Sequence, residues 1–149
     1  MTAGELIARV DELRPNAYSM EQKLRWLRRL DGQILAELEE THGAESQPRR
    51  DEHRSSADTA DVGQTDDQWS SLRPAADLPS AYGTDTQLLA PFPWDEGVYS
   101  AWLFCQIDLH NGEIQKYNQS LQLLAAAWRG LADWVNRSRR PRGARSWRM

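Results

Sequence analysis

The chain has 149 residues, and its 22 acidic residues outnumber its 18 lysines and arginines, giving a formal net charge of −4. This length fits one domain with a single hydrophobic core. One cysteine excludes an internal disulfide, and no apolar run reaches the ~18 residues that a membrane-spanning helix needs. The amphipathic, acid-containing start does not match a secretory signal peptide. We therefore expect a soluble protein that is made inside the cell and has no membrane partner.

Two helices are predicted in the first part of the chain, each introduced by a capping box. The sequences TAGE (2–5) and SMEQ (19–22) both place a hydroxyl three residues before Glu or Gln, so that each side chain can cap the other's backbone NH. Pro15 ends the first helix, because the residue before a proline avoids the helical region. The second helix should run over about 20–42, where apolar residues recur at helical spacing.

One carboxylate, Asp31, falls on the apolar stripe of the second predicted helix. A carboxylate in such a position must be paired or hydrogen-bonded. We therefore predict that Asp31 is a buried polar clamp, bound to an arginine, a tyrosine or a backbone amide. A catalytic role would need a second carboxylate, for which Asp108 is the candidate, and we regard this alternative as much weaker. The neighbouring Gly32 would allow a close crossing of two helices.

A long irregular insertion is predicted over residues 43–94. Residues 43–67 contain one large aliphatic side chain, Val62, and are otherwise rich in charged and small polar residues. Such a composition cannot bury enough surface to order itself. Residues 68–94 regain leucines and aromatic residues but contain four prolines, so we expect irregular structure there, with a short hairpin as an alternative. A connection of this length is either functional or mobile.

The third predicted helix begins near Trp94 and is apolar on two sides. One stripe consists of Val98, Trp102, Cys105 and Leu109, and the other of Tyr99, Leu103, Ile107, Ile114 and Tyr117. A helix with two apolar faces is either central in its own fold or packs on its own core and on a partner. A fourth helix is predicted from about Ser120 until Pro141 stops it, with its main apolar stripe running from Leu121 to Val135.

The predicted fold is therefore all-α, a small bundle of about four helices in one domain. Helices 1 and 2 occupy 1–42, the insertion 43–94, helices 3 and 4 occupy 95–136, and a basic tail follows at 137–149. The candidates for contacts between subunits are Leu123, Trp134, Tyr99 and Leu103. For Leu123 and Trp134, which lie opposite the main stripe of the fourth helix, packing beneath residues 68–94 is an equally weighted alternative.

Motifs for catalysis and for metal binding are missing from the sequence. The phosphate-binding pattern GxxxxGK[ST], the dinucleotide pattern GxGxxG, the nucleophile pattern GxSxG, and HExxH and CxxC do not occur. Cys105 lies on an apolar stripe, where a buried, inert thiol is expected, and His110 is expected on the helix surface. We predict no catalytic site, no metal and no cofactor, and hence a protein that is not an enzyme.

The C-terminal residues 137–149 carry six arginines and Trp147 but no acidic residue. The arginines are Arg137, Arg139, Arg140, Arg142, Arg145 and Arg148. This tail could be solvated, it could bind nucleic acid through phosphate contacts and stacking by Trp147, or it could dock on an acidic protein surface with Trp147 as anchor. We favour docking, because the rest of the chain is acidic and would repel a nucleic-acid backbone.

Three stretches of the chain resemble a known family. They are VDELRPNAYSMEQKLRWLRRLDGQILAELEETH (10–42), DTQLLAPFPWDEGVYSAWLFCQIDLHNGEIQKYNQS (85–120) and LADWVNRSRRPRGARSWRM (131–149). They resemble small proteins encoded among the structural genes of tailed phages and prophages, the head-to-tail connector (adaptor) subunits. Residues 43–84 lie outside the resemblance.

The resemblance implies a helical subunit of a homo-oligomeric, dodecameric ring in the neck of a virion, assembled in the cytoplasm of the bacterial host. Such a ring binds beneath the portal protein, contacts another neck or tail protein, and lets DNA pass without sequence-specific binding. By analogy, residues 137–149 would reach the portal or a neighbouring subunit. The alternatives are a stopper or tail-completion protein of the same neck region and a nucleic-acid-binding packaging or regulatory factor that uses the arginine tail.

Overall fold

The computed structural model of the chain describes residues 1–42 and 81–138. Its four helices are α1 (Ala3–Leu13), α2 (Met20–His42), α3 (Trp94–Asn111) and α4 (Ile114–Ser138). Within these two ranges the only β-type pairing is an isolated bridge between Thr2 and Gln87. The prediction of a small all-α bundle is thus confirmed. The predictions for residues 43–80 and 139–149 fall outside the described residues.

The first two helices begin where the capping patterns place them. The Thr2 hydroxyl accepts a hydrogen bond from the Glu5 NH at 3.3 Å, and the Glu5 carboxylate accepts one from the Thr2 NH at 2.8 Å. At the start of α2, the Ser19 hydroxyl accepts from the Gln22 NH at 3.2 Å. These bonds satisfy backbone NH groups that have no partner inside the first turn of a helix.

The junction between α3 and α4 lies earlier in the chain than predicted. Gly112, with φ of 73°, ends α3 in the left-handed conformation that glycine tolerates without strain. The Tyr117 NH already donates to the Glu113 carbonyl at 2.9 Å, so helical bonding resumes at once. The predicted start of the fourth helix at Ser120 was therefore wrong by about 1.7 turns. Ile114 and Tyr117 belong to α4 rather than to the third helix.

Helix α3 is the centre of the bundle, because it packs against each of the other three helices. Among the described helices, α4 packs on α3 alone, and α2 and α4 do not pack on each other. Arg14, which follows α1, also donates to the Ser120 hydroxyl of α4 at 3.1 Å. Of the two alternatives for a helix that is apolar on two sides, the central position is therefore the observed one. The largest fully buried side chains are Leu6, Ile7, Val10, Leu27, Leu30, Ile34, Val98, Tyr99, Leu103, Ile107, Leu131 and Val135.

Residues 81–93, the described part of the insertion, lie against the N-terminal end of α1. The Thr86 and Thr84 carbonyls accept hydrogen bonds from the NH groups of Ala3 and Gly4, both at 2.9 Å. The segment thereby supplies acceptors to the unpaired NH groups of the first helical turn. Irregular structure was predicted here and is observed, and no hairpin forms within 81–93. The segment also carries Tyr82 into the bundle.

Candidate interaction surface

The hairpin of α3 and α4 is packed closely along small residues. A Cβ atom placed on Gly97 would lie 3.9 Å from the Ala127 Cβ, which is an ordinary van der Waals contact. A Cβ atom placed on Gly130 would lie only 2.6 Å from the Trp94 ring. The indole of Trp94 therefore lies directly on the α4 backbone, at a place where only glycine fits. This contact fixes how α4 lies on α3.

The outer side of α4 lacks charged residues over more than three turns. Residues 117–128, with the sequence YNQSLQLLAAAW, contain no charged side chain, although 27% of the chain is charged. Leu121 is 41% exposed and Leu123 is 57% exposed. We call the exposed residues of this stretch the neutral face of α4; they are Asn118, Gln119, Leu121, Gln122, Leu123 and Ala126.

The four predicted subunit-contact residues separate into two groups. Leu123 is exposed on the neutral face, whereas Trp134 is half-buried and packs against the core. Tyr99 and Leu103 are 0% exposed, so the prediction that they face another subunit was wrong. The physical reason is that α1 and α2 of the same chain pack on α3 and cover this stripe.

Of the arginine tail, the structure describes only Arg137 and Ser138. Arg137 is exposed in the last turn of α4, and its Nε donates to the Asp133 carbonyl at 3.1 Å. A cation there interacts favourably with the negative end of the helix dipole. Arg139, Arg140, Arg142, Arg145, Trp147 and Arg148 lie outside the described residues. Their predicted role in binding a partner stays a prediction.

Asp31 forms the predicted buried polar clamp, and tyrosines are its partners. Asp31 is 2% exposed; the Tyr82 hydroxyl donates to its Oδ2 at 2.7 Å and the Tyr99 hydroxyl donates to its Oδ1. The Tyr99 hydroxyl in turn accepts hydrogen bonds from the NH groups of Leu89 and Ala90, at 3.1 and 3.2 Å. The clamp therefore joins α2, α3 and the segment before α3.

Burial raises the pKa of Asp31 from 3.8 to about 6, and hydrogen bonds from Tyr99 and Tyr82 offset part of this rise. The same burial, together with the nearby Asp31 charge, raises the pKa of both tyrosines. The two hydroxyls therefore keep their protons and act as donors. Asp31 has no cationic partner among these hydrogen bonds, so its ionised form is stabilised by neutral groups alone.

A second buried carboxylate, Asp108, was considered in the sequence only as a possible partner of Asp31. It is fully buried, and its Oδ2 forms an ion pair with Arg14 and accepts from the Ser120 hydroxyl at 2.6 Å. The Arg14 guanidinium also stacks 4.4 Å from the centre of the Phe104 ring. Asp31 and Asp108 thus bind different partners, as structural clamps rather than as an acid–base pair.

A third polar contact went unnoticed in the sequence. The Lys23 ammonium, with a side chain only 4% exposed, bonds both carboxylate oxygens of Asp11 at 2.6 and 2.8 Å. Lys23 and Asp11 are twelve residues apart in sequence, so the spacing of residues along a helix does not predict that they pair. A lysine on the buried side of α2, next to Trp26 and Leu27, was the one available hint.

Two residues with reactive side chains lie where a structural role was predicted. Cys105 is buried, as predicted, and burial raises the pKa of its thiol to about 11. His110 is exposed; its ring lies 5.0 Å from that of Trp26, and its Nδ1 lies 2.7 Å from the Gln106 carbonyl. Within residues 1–42 and 81–138, no three His, Cys, Asp or Glu side chains are grouped so that they could hold a metal ion.

Comparison with known proteins identifies no relative of this chain. No protein-family model, no curated protein and no solved structure matches this chain. Among the helices described, none is long and apolar enough to cross a membrane. The neutral face of α4 and the arginine tail that follows it are therefore the features that point to a function.

Proposed function

We propose that the chain is a structural, non-enzymatic subunit of a phage head–tail connector ring, an adaptor that docks beneath the portal and continues the DNA channel. The observation that carries the proposal is the neutral face of α4. Depletion of charged residues with exposed large apolar ones is typical of the core of a protein interface rather than of a solvated helix. The resemblance of three stretches to connector subunits gives this interface its biological setting.

A ring requires each subunit to use two different surfaces, one for each neighbour. The neutral face would supply one of them, because α3 is the one described helix on which α4 packs and the residues of this face are exposed. Leu123 is the exposed apolar side chain that a neighbouring subunit would cover, whereas Leu121, two residues away, projects from another side of the helix and lies at the opposite edge of the face. Burial of a leucine removes enough apolar surface from water to contribute about 1.5–3 kcal/mol.

The arginine tail would make the contact with the portal. It leaves directly from the end of α4 at Arg137, so it starts on the same helix that carries the neutral face. Segments that become ordered on docking are common in regulated assembly. An acidic surface on the portal is the chemistry that would recognise six arginines and Trp147.

Native mass spectrometry of the full chain, with and without portal, tests the proposal. The expected result is a closed ring that binds portal. Leu123→Glu should abolish ring formation, because it places a charge in the interface, while Leu13→Glu, at another exposed leucine, should leave the ring intact. Truncation after Asn136 should retain the ring and lose the portal.

A chain that stays monomeric with and without portal contradicts the proposal. A chain that binds a preformed connector ring but not portal would instead be a stopper or tail-completion protein. DNA binding whose steep salt dependence disappears on truncation after Asn136 would favour the nucleic-acid-binding factor.

A further inference from the structure

Beyond Glu21 in its first turn, the solvent side of α2 carries its charges in two separate blocks. Arg25, Arg28 and Arg29 are exposed near its N-terminal end, and Glu39 and Glu40 are exposed near its C-terminal end. The opposite side of the helix is buried against the core. We call the following residues the charged face of α2: Arg28, Arg29, Gly32, Ala36, Glu39 and Glu40.

These blocks cannot neutralise each other within one helix. Arg29 and Glu39 are ten residues apart, which is about 15 Å along the axis, whereas side chains pair on a helix only at three or four residues. Asp31 is the one acid at such a spacing from Arg28, and it is buried and bound by tyrosines. None of the ion pairs in the described residues involves Arg28, Arg29 or Glu39.

The stretch between the blocks presents small residues to the outside. Gly32 and Ala36 are one helical turn apart on the outer side, and Ala36 is exposed. Another helix could therefore approach the α2 backbone closely there, at the short end of the 8–10 Å range of helix–helix distances. With positive charge on one side of this gap and negative charge on the other, the face is complementary to itself.

We propose that a second copy of this chain docks on the charged face of α2, with the two α2 helices antiparallel and crossing near Ile34. In this register Gly32 of one copy lies opposite Ala36 of the other. Arg29 then lies opposite Glu39, and Arg28 lies within one residue's rise of the same carboxylate. A two-fold axis repeats each contact, which gives four interchain Arg–Glu pairs.

The charges set the register of this dimer more than its strength. Exposed ion pairs contribute little to affinity, and complementary charge mainly favours one alignment over others. A pair of helices in contact over about four turns also buries less than the ~1,200 Å² of a standard interface. The dimer should therefore be weak, with a dissociation constant in the micromolar to millimolar range, and sensitive to salt.

This contact is independent of the proposed ring, because it uses α2, whereas the ring would use α4. In the described residues the two helices do not pack on each other. Sedimentation velocity on the full chain carrying Leu123→Glu measures the α2 contact without assembly through α4. Dimers should form as the concentration rises from about 10 μM to about 1 mM, the range that corresponds to weak association. Raising NaCl from about 50 mM to about 500 mM should weaken the dimer about tenfold, because salt shortens the screening length.

Charge reversal gives the decisive result. In that background, Arg28→Glu with Arg29→Glu, and separately Glu39→Arg, should each raise the dissociation constant at least tenfold, since like charges would face each other. An equimolar mixture of the two variants should form a heterodimer in which all four pairs are again complementary. The exchange of all three charges within one chain should restore self-association.

Circular dichroism confirms that each variant keeps its helices, as expected for changes on the outer side of α2. Three outcomes would overturn the proposal: no dimer at low salt, charge-reversed variants that dimerise as well as the parent, or a mixture of folded variants that does not associate. Ring formation by the chain without Leu123→Glu is a separate measurement, so either proposal can fail alone.

Discussion

The two sides of α3 are held by different kinds of contact. Towards α2 and the segment before α3, polar atoms meet: the Tyr99 hydroxyl donates to Asp31, and the Trp102 Nε1 donates to the Trp26 carbonyl at 2.9 Å. Towards α4, the helices approach through Gly97 and Gly130, with an indole lying on the backbone. The α2 side depends mainly on hydrogen bonds, whereas the α4 side depends mainly on steric fit, joined there by the hydrogen bond from the Ser120 hydroxyl to Asp108.

Mutations on the two sides of α3 should therefore have different kinds of effect. A hydrogen-bonded carboxylate responds to pH, because its partners stabilise one protonation state more than the other. A tight van der Waals contact responds to a single added methyl group and not to pH. The outer surfaces differ as well, since α2 presents separated charges to solvent and the middle of α4 presents none.

The largest expected effect distinguishes the buried stripe of α3 from the exposed face of α4. Leu103→Ala removes a fully buried side chain and should lower the free energy of unfolding by about 2–5 kcal/mol, through lost burial and the cavity left behind. Leu123→Ala is the matched control and, at a protein concentration low enough to keep the chain monomeric, should change it by less than about 0.5 kcal/mol, as for most surface substitutions. Urea denaturation followed by circular dichroism measures both. Similar losses for the two leucines would mean that this assignment of core and surface is wrong.

A pH-dependent effect is expected on the α2 side. The pKa of Asp31 is about 6 in the folded chain and 3.8 as a reference, so the folded state binds the proton more tightly. Its contribution to stability is therefore largest below pH 4 and is lost as the pH rises through 6. The loss should be on the order of 2–3 kcal/mol, at ~1.4 kcal/mol per unit.

Asp31→Asn removes this ionisation and keeps the shape of the side chain. The difference in unfolding free energy between the parent and this variant should therefore change with pH between 4 and 7, with the parent losing stability relative to the variant. Urea denaturation at each pH unit provides the measurement, and Asp85→Asn, at an exposed position near Tyr82, serves as control. A difference that stays constant over this range contradicts the assignment.

The smallest expected effect tests the contact between the Trp94 ring and the backbone of α4. Gly130→Ala places a methyl group 2.6 Å from the Trp94 ring, so the indole or the helix must shift, at a cost of about 1–3 kcal/mol. Gly97→Ala meets only an ordinary contact at 3.9 Å and should be neutral or stabilise by about 0.5 kcal/mol through helix propensity. Thermal unfolding compares the two variants at one pH. Equal midpoints would show that the indole does not lie on the helix as described.

Local patterns in the sequence predicted the first two helices well. The capping hydroxyls of Thr2 and Ser19 determine where α1 and α2 begin, and both act within three residues along the chain. The start of α4 was not predicted correctly, because the apolar stripe assigned to the third helix extends to Tyr117, whereas a single left-handed residue, Gly112, ends α3. Asp31 was recognised as a clamp because a carboxylate on an apolar stripe needs partners, whichever these are.

Contacts between distant residues could not be predicted in the same way. Tyr99 and Leu103 lie on a regular apolar stripe, but periodicity does not tell whether the same chain or another copy covers that stripe. The pair of Arg14 and Asp108 joins residues 94 positions apart in sequence. Arg14 was interpreted only as the end of a helix before Pro15. Such pairings depend on how the helices are arranged, which a single sequence leaves open.

Cys105 offers a built-in chemical reporter of motion in the central helix. It is the only cysteine of the chain, it is buried on α3, and burial raises the pKa of its thiol to about 11. Alkylating reagents attack the thiolate and need access to it, so the closed bundle should resist them at neutral pH. The rate at which such a reagent labels the intact chain would therefore measure how often α3 separates from its neighbours, and no engineered cysteine would be needed.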